Sequence, residues 1–154
     1  MSTTYTYPAK LAGHDDDWVL TFPDIPEAIT GGASAAEALA NGPDCLLAAL
    51  EGYVDQRRDI PAPGTVRRGQ YRIAVAPVAA AKLALYQAMR DSGMTNVALA
   101  AKLGVTEGAV RKLLALRHRS HIDAIDRALG LFGLRLVVTA QPWAASAATR
   151  AAVA

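Results

Sequence analysis

Cysteine is almost missing from this chain. Cys45 is the single one in 154 residues, which excludes an intramolecular disulfide and a cysteine-rich zinc site. His14, His118 and His121 are scattered, and none has zinc spacing with the cysteine. No apolar run approaches the ~20 residues of a membrane span, so no membrane partner is expected. The opening MSTTYTYPAK has no basic start followed by an apolar stretch, so no signal peptide is expected and a cytoplasmic location is the default. No Ser-His-Asp arrangement, phosphate-cradling glycine loop or internal repeat stands out. Asp15, Asp16 and Asp17 are consecutive in an expected turn, where they would fan outwards instead of converging on a metal. No metal, cofactor or catalysis is expected.

What is present is a folded composition with divided charge. The hydrophobic fraction is 52% and the mean hydropathy +0.16, values that belong to folded chains, although alanine inflates both. Residues 1–59 hold ten acids against Lys10, Arg57 and Arg58, a net −7, whereas residues 60–154 carry a net +9. An acidic half beside a basic half argues for two modules with different partners.

The first half reads as a small α+β unit. Thr4–Leu11 and Trp18–Phe22 have strand character and join across residues 13–17 as a hairpin. Pro8 lies inside the first run, which predicts an edge strand or a shorter one. Residues 23–32, PDIPEAITGG, read as a turn-rich connection. Ser34-Ala35-Ala36-Glu37 is a capping-box sequence that opens a helix running towards Arg58. Gly42-Pro43 predicts a kink or early break in it near Leu39. Ala38, Cys45, Leu46, Ala49, Leu50 and Tyr53 form its apolar stripe. Cys45 is most simply a small buried hydrophobe there. Residues 70–76, QYRIAVA, alternate Tyr71, Ile73 and Val75 and predict a third strand.

From Val78 the period becomes helical. A first helix ends at Ser92-Gly93. Residues 96–115, NVALAAKLGVTEGAVRKLLA, then read as a DNA-binding helix-turn-helix. Ala100 permits a close helix crossing, Gly104 supplies the positive-φ turn, and Val110 anchors the second helix. Leu99, Leu103, Val105, Leu113 and Leu114 fill further inward positions, and Thr106 stands at the N-cap. That burial leaves Thr106, Glu107, Gly108, Arg111 and Lys112 facing outwards, polar at the first turn and basic one turn later, as groove reading requires. Arg117, His118 and Arg119 follow in a loop suited to phosphate contacts, whose unspecific reading is a solvated surface turn. Glu107 fits poorly beside phosphates unless it accepts from a cytosine amino group. A helix over His121–Leu131 and a short strand over Leu134–Thr139 complete the pattern. The strand needs a partner, either a second copy or the earlier sheet. The alanine-rich residues 141–154 have no patterned face, with Trp143 the one residue expected to dock. The expected division is 1–76, 77–140 and a tail, 141–154.

Several segments together resemble the HicB family of antitoxins, in the subgroup with a C-terminal helix-turn-helix. They are Tyr7-Pro8-Ala9, residues 18–26 (WVLTFPDIP), Thr30-Gly31-Gly32, Ala36-Glu37-Ala38-Leu39 and Ile60-Pro61-Ala62-Pro63-Gly64. The family hallmark, Phe-Pro-Asp-x-Pro and then Gly before a helix with Glu-Ala, matches at Phe22, Pro23, Asp24, Pro26, Gly32, Glu37 and Ala38. The likeness covers about residues 4–140. Glu27 departs from it where many relatives carry Gly, and Gly42-Pro43 is uncommon inside a helix.

The resemblance implies an α+β chain, with a partial ribonuclease-H-like module lacking activity followed by an all-α, Xre/Cro-like helix-turn-helix domain. It also implies a small basic partner, a HicA-like toxin that cleaves mRNA with a histidine, covered by the N-terminal module. The toxin-facing residues expected on that basis are Asp15, Asp16, Asp17, Trp18 and Asp24. The DNA-facing residues are Thr106, Glu107, Gly108, Arg111, Lys112, Arg117 and Arg119, acting on operator DNA as a homodimer or higher homo-oligomer. A different reading is a transcription regulator whose N-terminal module senses a small molecule. It predicts a deep apolar pocket within residues 1–76.

Overall fold

A computed structural model describes residues 2–140; the expectations for the tail, 141–154, and for Trp143 lie outside the described residues. The chain is α+β: the described residues form an antiparallel four-stranded sheet and five helices. Its contacts divide it into a sheet unit, Thr4–Leu50 with Pro61–Val75, and a helical unit, Glu51–Ile60 with Ala76–Val138.

In the sheet unit, β1 (Thr6–His14), β2 (Asp17–Thr21), β3 (Ile29–Gly32) and β4 (Tyr71–Ala74) lie in the order β3-β2-β1-β4. Two sequence expectations change here. The segment read as a turn-rich connection contains β3, so the sheet has four strands and not three. Ile29 and Thr30 favour a strand but Gly31-Gly32 do not, and pairing with β2, Trp18 opposite Gly32, carries the strand through the glycines.

The second change concerns Pro8, which lies in an interior strand and not at an edge. β1 uses its two halves separately: Thr6–Ala9 pair with β4 and Lys10–His14 pair with β2. The Val75 amide donates to the Tyr5 carbonyl at 3.3 Å, so alternation along the ladder turns the Pro8 nitrogen away from β4. On its other side β2 has already ended, because Lys10–Thr21 is the last pair of that ladder. The missing N–H therefore costs no ladder hydrogen bond.

Helix α1 (Ala35–Asp55) starts as the capping sequence predicts. The Glu37 amide donates to Ser34 Oγ at 3.1 Å, and Glu37 Oε2 accepts from the Ala33 amide at 3.0 Å. Of the kink or early break expected near Leu39, the break is absent, for α1 runs unbroken over 21 residues with Pro43 inside it. Burial across Gly42 explains what outweighs the local cost. A Cβ there would lie 2.8 Å from Leu20 Cδ2 and 3.5 Å from Ile73 Cγ2, so the glycine lets α1 close onto the sheet. Ala38, Leu46 and Leu50 continue that buried stripe at fourfold spacing.

The helical unit contains α2 (Pro77–Ser92), α3 (Asn96–Leu103), α4 (Glu107–Leu114) and α5 (Ile122–Gly130). Leu85, Leu99, Val110, Ile125 and Leu129 meet in its core. The expected strand over Leu134–Thr139 does not form: no strand is found there among the described residues. Leu136 alone is drawn in, half-buried against the helical core, with its amide donating to Asp126 Oδ1 at 2.8 Å. Val137 and Val138 remain 86% and 75% exposed. A run with β-propensity becomes a strand only where it pairs, and this one pairs with none of the described strands.

Candidate nucleic-acid interface

The α3–α4 pair is built by local chemistry at both ends of its turn. Thr95 Oγ1 caps α3 by accepting from the Ala98 amide, and Thr106 Oγ1 caps α4 by accepting from the Ala109 amide, both at 3.1 Å. Gly104 ends α3 with φ +68°, a conformation costly for residues with a side chain. Ala100 and Val110 are buried where the two helices meet. Of the other inward positions, Leu99 is buried, and Leu103, Leu113 and Leu114 are partly so. Val105 is the exception. It is 37% exposed because it lies in the turn, outside both helical faces.

Burial of Val110 fixes which side of α4 faces solvent. Thr106, Gly108, Arg111 and Lys112 are exposed and Glu107 is half-buried. At Gly108 a Cβ would meet only Thr106 Oγ1, at 3.8 Å, so the first turn offers a bare surface without any packing reason for glycine. Arg111 Nη2 donates to Glu107 Oε1 at 2.7 Å, an i,i+4 pair. That contact answers the misfit of Glu107 in a basic surface. The carboxylate is neutralised by its neighbour and also sits at the positive end of the helix dipole. An exposed i,i+4 pair is worth only about 0.3–0.5 kcal/mol, so Arg111 can leave it for a stronger acceptor.

In the loop after α4, Arg117 and Arg119 are exposed. Arg117 Nε donates to Glu51 Oε2 at 2.7 Å, on the last turns of α1; nothing in the sequence marked that partner. His118 Nδ1 lies 3.4 Å from Ser120 Oγ.

The residue that sequence reasoning missed is Lys82 on α2. It is fully buried, and its Nζ donates to the carbonyls of Lys112, Ala115 and His118 at 2.9, 2.7 and 2.7 Å. Burial lowers its pKa from the usual lysine value. A signal existed: Val78, Lys82, Leu85 and Met89 share one helical face, and lysine is the charged member of an apolar row.

The acidic candidates of the sheet unit fall into two groups. Asp15, Asp16 and Asp17 are exposed at the β1–β2 turn, with Asp15 at φ +51°. Trp18 is half-buried and its Nε1 donates to the Asp15 carbonyl at 3.0 Å, so the indole braces the turn. Asp24 belongs elsewhere. Its Oδ2 accepts from the Gly64 amide at 2.8 Å, across 40 residues, and not from an amide near it in sequence. Tyr7 Oη donates to the Pro61 carbonyl at 2.8 Å. Two of the matched segments thus fasten a third, the exit 60–64.

The sheet unit carries an open groove of about 530 Å³ between β3 and α1, with Glu27, Asn41 and Asp44 among its lining residues. It is not the deep apolar pocket that small-molecule sensing predicts. Cys45 lies on its wall, and burial, followed by the charge of Asp44, raises its thiol pKa. Among the described residues no group of three His, Cys, Asp or Glu side chains could hold a metal, and no helix is long and apolar enough to cross a membrane.

Residues 6–84 match the family described as HicB_like antitoxin of bacterial toxin-antitoxin system. The chain is 37% identical over 140 residues to antitoxin HicB 2 of Photorhabdus laumondii, covering 91% of this chain and 99% of that one. The chain belongs to the HicB-like antitoxin family. Antitoxin HicB of Escherichia coli strain K12 is 32% identical over 131 residues, covering 84% of this antitoxin and 95% of that one. Antitoxin HicB of Pseudomonas fluorescens is 32% identical over 141 residues, covering 91% and 97%. These three matches run beyond residue 84 of the antitoxin, through helices α3 and α4, since each spans at least 131 residues.

Proposed function

We propose that the antitoxin neutralises a small, basic, HicA-like toxin that cleaves mRNA, and represses its own operon through the α3–α4 pair. Residues 1–76 serve the toxin and residues 77–140 the operator, and the protein works in the cytoplasm without catalysis. The observation that carries the DNA-binding half is the exposed face of α4. Capped by Thr106, it leaves Gly108 bare and presents Arg111 and Lys112 beyond it. A short polar first turn followed by cations is what base-edge and phosphate contacts need in the major groove. Net +9 over residues 60–154 supports it. The net −7 of residues 1–59 and the exposed Asp15–Asp17 turn, braced by Trp18, suit a basic protein partner.

Such repressors bind as homodimers or higher homo-oligomers, so half-sites one helical turn apart, ~34–36 Å or a multiple, are expected. The test is a gel-shift series on the DNA upstream of this gene. Arg111→Ala should lose about 1–3 kcal/mol and relax preference at one base position, whereas Arg117→Ala should weaken every sequence alike. Wild-type binding from both variants would remove the recognition assignment. For the other half, the full chain should co-purify with the product of an adjacent toxin-like gene and restore growth when the two are expressed together. Failure of both ends the toxin reading.

A further inference from the structure

We propose that Lys82 is a positioning residue for DNA binding, holding the end of α4 and the Arg117–Arg119 loop in the geometry that meets phosphate. This rests on the DNA-binding reading above. An ammonium group has three N–H donors, and at Lys82 each has its own backbone acceptor at 2.7–2.9 Å. The first acceptor is Lys112, within the last turns of α4; the second is Ala115, just past its end; the third is His118, inside the basic loop.

The carbonyls at a helix C-terminus have no partners within the helix and carry its negative dipole end. A buried cation there both satisfies them and fixes the path the chain takes next. From outside, the loop is held by Arg117 Nε donating to Glu51 Oε2 at 2.7 Å and by Ser120 Oγ donating to the Lys112 carbonyl at 3.4 Å; Lys82 holds it from within. The loop's amide anchor is the His118 N–H to the Ala115 carbonyl, 3.0 Å, and Leu116 is its buried side chain. Arg117 and Arg119 flank the carbonyl of His118, which Lys82 grips from within; both are exposed, Arg117 while paired with Glu51. The charge of Lys82 is wholly buried and cannot itself reach DNA, so its effect passes through the backbone it holds. A lysine buried elsewhere in the core would cost stability unless its charge were met; this one is met by the three carbonyls that set the phosphate-facing loop.

The test compares wild type, Lys82→Met and Arg117→Ala, as full chains, on a labelled duplex taken from upstream of this gene over a range of salt. Lys82→Met keeps the side-chain length and removes the donors. Affinity is expected to fall about tenfold or more, and the slope of log affinity against log salt to shrink by about one to two phosphate contacts, towards or beyond that of Arg117→Ala. Lower stability alone reduces the active fraction and leaves that slope unchanged. A Lys82→Met protein that folds and keeps the wild-type slope overturns the proposal. If Lys82→Met does not fold, backbone ¹⁵N order parameters of the wild-type protein decide. Residues 115–119 as rigid as α4 support the role, and values below ~0.6 there overturn it. Wild type that binds the duplex without salt dependence, or not at all, refutes the DNA-binding reading itself, an outcome distinct from an unchanged slope in the variant.

Discussion

A single side chain can be conspicuous in a sequence for one reason and placed in the fold for another, and Asp24 is the case in point. Its position in Phe-Pro-Asp-Ile-Pro and its charge suggest a surface for a basic partner, yet its Oδ2 is occupied by the Gly64 amide. A Cβ at residue 64 would lie 3.1 Å from both carboxylate oxygens, so the segments are in close contact. Two substitutions separate the roles. Asp24→Ala removes the acceptor and should destabilise the sheet unit by about 1–3 kcal/mol, measured by urea unfolding. Asp24→Asn keeps an oxygen for Gly64 and should cost well under half of that. If charge towards a partner is what counts, Asp24→Asn should weaken toxin capture as much as Asp24→Ala does, with stability nearly unchanged. Arg111 and Glu107 make the complementary point, because their pairing explains an acid on a basic helix face without a base contact.

At the scale of elements, what was legible in the sequence was whatever closes locally. The caps at Ser34, Thr106 and Gly93, the turn at Gly104 and the strand alternation at Tyr71–Val75 each involve residues within a few positions of one another, and each formed as read. What failed depended on distant partners. Strand β3 exists because β2 lies beside it, residues 134–139 pair with no strand among the described residues, and Pro8 is tolerated because the two halves of β1 pair on opposite sides. Helix α1 runs through Pro43 because tertiary burial along Ala38, Gly42, Leu46 and Leu50 exceeds the local penalty. The same contrast gives two predictions. Thr106→Ala should cost the helical unit about 1 kcal/mol, seen as a lower midpoint in denaturant. Gly32→Ala should cost the sheet unit about 1–3 kcal/mol, because its Cβ would come within 2.7 Å of the Ala38 amide nitrogen, a backbone atom that cannot swing aside. An unchanged unfolding midpoint for Gly32→Ala would mean that β3 and the start of α1 move apart freely.

The chain carries net charge of opposite sign in residues 1–59 and 60–154, and its contacts divide it, at different boundaries, into a sheet unit and a helical unit. The sheet unit supplies an exposed acidic turn and a clamped loop; the helical unit supplies a capped helix pair and a cation held inside it. Much of the site could be anticipated from residues that face water, because exposure follows from helical period once Val110 is known to be buried. The internal lysine could not be placed without the fold, since its three acceptors lie 30 to 36 residues further along the chain. That placement has a practical use in protein chemistry. The chain has four lysines, and Lys10, Lys102 and Lys112 are exposed whereas Lys82 is not. Under native conditions an amine-directed methylating reagent should modify those three and spare Lys82, as read by peptide mass spectrometry. Modification of Lys82 should begin only when the helical unit opens, in proportion to the open population where reclosing outpaces the reagent and at the rate of opening where it does not. The antitoxin therefore contains its own reporter for the loss of its helical unit, one that needs no added dye or tag. Equal labelling of all four lysines in the folded protein would show that Lys82 is reached without unfolding.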